Sequence, residues 1–135
     1  MNEFANSVVE LINIERIENG LDPLGVDVQL SQVAQEHSAS MATEDYFSTQ
    51  SLDGSSFSDR LLNAGYNFTL AGEVIGAGYN TPEAVVEGWL SNSGIASNIL
   101  SPEFTEIGVG YEFLANDTGN VNFNSYWTAD FGTPV

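Results

Sequence analysis

The chain contains no cysteine and no lysine, and its 135 residues include two arginines, Arg16 and Arg60, and one histidine, His37. The missing cysteines exclude a disulfide framework, a thiolate metal site and a cysteine nucleophile. Nineteen acidic residues against two basic ones give a net charge of −17. Such a surface repels phosphate backbones and anionic headgroups, so nucleic acid is excluded as a partner. It suits a salty or calcium-containing medium. No apolar run approaches membrane-spanning length, and the start lacks the basic segment and apolar core of a signal peptide. Met1 therefore reads as an added start on an excised or mature domain.

What remains suffices for one folded domain: 42% of the residues are hydrophobic, with eight Phe, five Tyr and two Trp, enough for a real core. The central stretch, Gly72 to Tyr111, shows the clearest local signals. Thr81 suits an N-cap, Pro82 the first helical position, and Val85, Val86, Trp89 and Leu90 form one apolar stripe. Ser93-Gly94 predicts a helix break, with Gly94 at positive φ. From Thr105 to Phe113 the pattern alternates, with Ile107, Val109 and Tyr111 on one face. Gly108 and Gly110 fall on the other, which predicts close approach by another backbone.

In chain order, Asn2 to Asn19 predicts a helix closed by Gly20, and Asp27 caps a second one running to about Asp45. Its apolar face is Leu30, Val33, Ala34, His37 and Met41, which puts the sole histidine on the buried side. Ser48 to Ser58 is a polar loop with an Asp53-Gly54 turn, Ser58 to Ala64 a short helix, and Tyr66 to Ile75 an extended segment. Ala115 to Asn120 predicts a hairpin loop. Val121 to Phe131 follows as the last strand, with Phe123, Ser125, Trp127 and Ala129 on one face and Tyr126 and Phe131 on the other. Helices first and an antiparallel hairpin last give an α+β class.

Seven pieces in order carry a family resemblance: LINIERIENGLDPL (Leu11 to Leu24), AQEHSASMA (Ala34 to Ala42), DGSSFSDRLLNAGY (Asp53 to Tyr66), AGEVIGAG (Ala71 to Gly78), TPEAVVEGWLSNSG (Thr81 to Gly94), SNILSPEFTEIGVGY (Ser97 to Tyr111) and YWTADFG (Tyr126 to Gly132). The chain resembles the CAP superfamily (cysteine-rich secretory, antigen 5, pathogenesis-related; the SCP-like domain), in its disulfide-free bacterial branch. The resemblance implies a three-layer α-β-α sandwich with a small antiparallel sheet, and an extracellular location. It also implies a cleft lined by two histidines and two acids. Those positions fall here on Thr49, Glu73, Asn92 and Ile95, so only the acid at Glu73 matches. With both imidazoles gone, no zinc site is expected, since nothing else supplies nitrogen or sulfur ligands.

Two functional readings follow. In the first, the chain is a monomeric, non-catalytic extracellular module with a degenerate cleft at Thr49, Glu73, Asn92 and Ile95. It binds a small apolar ligand or a cell-surface partner, because isoleucine in place of histidine makes a drier cleft. In the second, it is a hydrolase in which Glu73, partnered by His37, activates water. That reading requires the two side chains within hydrogen-bond reach, directly or through one water. The bland alternatives are a structural carboxylate at Glu73 and a core histidine at His37 held by backbone. No Gly-x-Ser-x-Gly elbow accompanies the histidine. Calcium, which takes only oxygen ligands, would be sought at Asn116 to Asn120 or Asp53 to Asp59; neither segment has EF-hand spacing.

Overall fold

The computed structural model describes residues 3–135; Met1 and Asn2, and with them the expected helix start at Asn2, lie outside the described residues. Five helices and four strands follow in the order α1 (Glu3–Glu18), β1 (Gly25–Val26), α2 (Val28–Glu44), α3 (Phe57–Asn63), β2 (Phe68–Ala77), α4 (Pro82–Leu90), α5 (Ser93–Ile99), β3 (Glu106–Phe113) and β4 (Ser125–Pro134). The sheet runs β1-β3-β4-β2. Its three long strands are antiparallel to their neighbours, and the two-residue β1, which sequence patterning does not reveal, lies parallel to β3.

Strand alternation sorts the layers. Val74 of β2, Ile107 and Val109 of β3, and Trp127, Ala129 and Phe131 of β4 share the main core with Val8 and Ile12 of α1 and Val85 and Trp89 of α4. On the opposite face, Ile75, Ala77 and Tyr126 pack with Met41 and Ala42 of α2, and Ala71 packs with Leu30, Val33 and Leu61 of α2 and α3. The molecule is thus a three-layer α-β-α sandwich of the expected class. The α2 layer comes unusually close: a Cβ on Gly108 would lie 2.1 Å from the Ser31 nitrogen, and one on Gly110 2.4 Å from the Ala34 carbonyl carbon. Only glycine lets the helix backbone rest on the strand.

The helix starts are chemically specified. Asp27, Ser56, Thr81 and Asn92 each accept a backbone N–H in the first turn of the helix that follows, and Pro82 sits just inside α4. Gly20 and Gly65 take positive φ after α1 and α3, as Asp45 does after α2.

Two expectations need correction. Gly94 is helical within α5 and not at positive φ: α4 ends at Leu90, and the side chain of Asn92 caps the new helix by accepting from Ile95 N. The break is made by an Asn cap and needs no glycine. The last strand starts at Ser125, four residues later than expected, because Asn124 at φ 68° receives the turn and its amide donates to the carbonyls of Leu114 and Ala115. Phe131 then shares the core face with Trp127 and Ala129, as strict alternation demands.

Candidate functional site

The most unusual chemistry lies under α2 and α3. Antiparallel register sets Glu73 of β2 directly opposite Asp130 of β4. The residues flanking Glu73 two positions away, Ala71 and Ile75, pack on the α2 side, so both carboxyls enter that layer. A lone buried carboxylate would be costly. Arg60 of α3 resolves it with a two-pronged contact, Nη2 lying 2.6 Å and 2.7 Å from the Glu73 oxygens, and the Glu73 side chain has no exposed surface. Arg60 is itself held by the loop before α3, since Nη1 donates to the Thr49 carbonyl at 2.8 Å and to Ser51 Oγ at 3.0 Å. Asp130 is fully buried directly opposite Glu73, and its carboxyl shares a hydrogen bond with the Glu73 side chain. Burial first, and then the adjacent Glu73 charge, hold its carboxyl well above the usual range. Asp130 therefore keeps a proton where surface carboxylates have lost theirs.

His37 completes the group from the second and third turns of α2. It is 1% exposed, and its Nε2 lies 2.7 Å from the Ser48 carbonyl. A carbonyl only accepts, so Nε2 carries the proton and Nδ1 presents a lone pair. Burial lowers the imidazole pKa against the opposing pull of Glu73, and the ring stays neutral. No hydrogen bond joins His37 to Glu73 among the described residues. The backbone carbonyls of Ser48 and Thr49 thus anchor His37 and Arg60 in turn, which gives the Phe47-Ser48-Thr49 turn a main-chain role.

Beside this group opens a pocket of about 440 Å³ between α2, the loop and α3; its wall includes His37, Arg60, Glu36, Asp53, Ser40 and Asn63. Of the expected cleft residues, Thr49 and Glu73 meet through Arg60. Asn92 caps α5, and Ile95 packs against the main core on the α1–α4 face. Neither lines the pocket. A second concavity of about 390 Å³, between α1 and α4, has Leu11, Ile14, Val86 and Leu90 on its floor and Glu15, Glu18, Glu83 and Glu87 among its walls.

These residues do not fit a zinc ion. Both oxygens of Glu73 accept from a guanidinium, and the imidazole positions hold Thr49 and Ile95. Among the described residues, no three His, Asp or Glu side chains are placed to share a metal. The carboxylates considered for calcium serve the fold: Asp117 accepts from Asn124 N and the Tyr126 hydroxyl, Asp53 from Ser55 N, and Asp59 from Ser56 N.

Arg60 and Asp130 escaped the sequence reading. The signal for Arg60 was its rarity: one of two cations in so acidic a chain will be drawn to a buried carboxylate. The signal for Asp130 was a charge inside the apolar run from Tyr126 to Phe131.

Comparison with known proteins agrees with the fold. Residues 9–131 match the CAP, or cysteine-rich secretory protein, family. The Bacillus subtilis protein YkwD is 41% identical over 128 residues, covering 95% of this chain and 46% of YkwD. The Bacillus subtilis membrane protein YlbC is 36% identical over 105 residues, or 78% of this chain and 30% of YlbC. The chain therefore spans less than half the length of these curated relatives. Among solved structures, an extracellular SCP-domain protein of Bacillus anthracis superimposes with a TM-score of 0.83 at 32% identity, covering 96% of this chain and 40% of that one. An outer surface protein of Borrelia burgdorferi gives 0.85 at 20% identity over 99% and 95% of the two chains, a likeness of fold alone. No helix among the described residues is long and apolar enough to cross a membrane. With its seven motifs in order, its three-layer sandwich and this match over nearly its whole length, the chain belongs to the CAP family of cysteine-rich secretory proteins.

Proposed function

We propose that the chain is an extracellular CAP module that works by binding a ligand or cell-surface partner, without turning it over. The observation that carries this reading is the state of Glu73. A general base needs an oxygen that can reach water or substrate. Here both oxygens are engaged by Arg60 and the side chain is sealed from solvent. His37 is equally enclosed, with its proton committed to Ser48. Family membership and the extracellular or surface character of two structural neighbours support the location. The apolar floor that a greasy ligand needs lies in the α1–α4 groove, away from Glu73.

The competing hydrolase reading uses Glu73 with His37. Incubation of the protein with isolated Bacillus cell envelopes separates the two. The module reading expects saturable retention on the envelopes and no time-dependent release of sugars, peptides or fatty acids. Release by the parent that is lost in Glu73→Gln, with the variant still folded, would establish the hydrolase instead.

A further inference from the structure

We propose that the groove between α1 and α4 docks a cationic amphipathic helix of a partner polypeptide. The inference rests on the binding-module reading and names the chemistry of the partner. From α1 the groove receives Leu11, Ile14, Glu15 and Glu18. From α4 it receives Glu83, Val86, Glu87 and Leu90. Both sets follow the i, i+3, i+4, i+7 spacing of a single helix face, so apolar and acidic side chains point the same way. Carboxylates on a helix packed against a core ordinarily take the opposite, wet face. Here they rim an apolar strip. That strip is open: Ile14 is 52% exposed, and Leu11 and Leu90 are half-buried.

Charge decides what can lie on it. Among the described residues no arginine reaches the rim, because Arg16 is committed to backbone carbonyls and Arg60 to Glu73. A fatty acid or anionic phospholipid would set its headgroup among the four glutamates. A second copy of this chain would set like charge against like, with no free lysine or arginine to offset it. A neutral apolar ligand would dehydrate the rim without pairing it. The complement is an apolar stripe flanked by Lys or Arg. Glu15 and Glu18 lie one turn apart on one bank, and Glu83 and Glu87 on the other. Neighbours at that spacing have Cβ atoms about 5–6 Å apart, which is also the repeat of cations along a partner helix. A helix laid in the groove therefore pairs both banks while its apolar face covers the floor.

The test is calorimetric titration with a synthetic two-heptad peptide of repeat Leu-Lys-Lys-Leu-Leu-Lys-Leu. A peptide of the same composition, scrambled to remove the apolar face, is expected to bind at least about tenfold more weakly. Ile14→Gln, and Glu18→Gln combined with Glu87→Gln, change exposed positions and leave the core intact. Each is expected to weaken binding of the amphipathic peptide about tenfold with the circular dichroism spectrum unchanged. The same charge change in the opposite layer, Glu36→Gln with Glu44→Gln on α2, is expected to weaken it by at most about twofold. The proposal is overturned if the scrambled peptide binds equally well, if the α2 pair weakens binding as much as the groove pair, or if Ile14→Gln binds like the parent. Binding of sodium palmitate in place of the peptide, lost in Ile14→Gln, would overturn it in favour of a lipid. Peptide binding that fails these controls, with envelopes still retaining the protein without release, removes the helix partner and leaves the module. Product release by a protein that passes them removes the module reading and leaves the helix partner.

Discussion

Both cations of this chain work inside it. Arg16, 1% exposed, donates to the carbonyls of Asp22, Ile99, Ser101 and Phe104 and so ties α1 to the turn before β1 and to the chain that follows α5. Burial lowers its pKa, an effect partly offset by Asp22. Replacing it with Met would strand four carbonyls, and Arg16→Met is expected to cost about 3 kcal/mol in urea unfolding. A loss below about 1 kcal/mol would mean that water reaches those carbonyls. Arg60 differs in having an anionic partner. The sequence placed Glu73 between apolar residues and so made its burial legible. The identity of its partner depends on α3 folding over β2 across a polar loop, which no local pattern encodes.

At the scale of elements, caps and periodicity made α1 to α4 legible to within a few residues, whereas α5 was hidden because Ser93-Gly94 reads as a helix break and its cap, Asn92, lies at the end of the preceding helix. The last strand was less so. Its start is set by Asn124 bonding back across the loop to Leu114 and Ala115, a tertiary contact that alternation cannot show. The candidate site was legible only in part for the same reason: Glu73 and Asp130 become neighbours through register between distant strands. The glycines separate into testable kinds. Gly110→Ala would drive a Cβ into the α2 backbone and is expected to cost about 3 kcal/mol. Gly94→Ala, inside α5 with its nearest obstacle 3.4 Å away, is expected to stabilise by up to about 1 kcal/mol. Thermal melts of the pair check both; a destabilised Gly94→Ala would argue against a helical Gly94.

For the whole molecule, charge sets the dependence on solution conditions. With −17, Arg16 buried and Arg60 committed to Glu73, self-repulsion is screened only by solvent ions, so stability is expected to rise with added sodium chloride. Asp130 adds a pH term of definite sign. The unfolded chain releases this proton near pH 4, whereas the folded chain retains it to higher pH. Folding thus takes up a proton, and this contribution, full below about pH 4, is lost as pH rises toward the folded value. His37 acts oppositely: its folded pKa lies below 6.5, so its contribution is present above that value and lost as pH falls. Melting curves of Asp130→Asn against pH should show a smaller decline above about pH 4 than those of the parent, and parallel curves would contradict a protonated Asp130.

The account turns on Glu73 being a structural carboxylate neutralised by Arg60, and equilibrium urea unfolding of Glu73→Gln tests it most directly. Removing one partner of a buried ion pair strands the other, and the expected loss is about 3–5 kcal/mol. A variant as stable as the parent, or more so, would contradict the account, because a carboxylate kept at no benefit to the fold is one kept for chemistry.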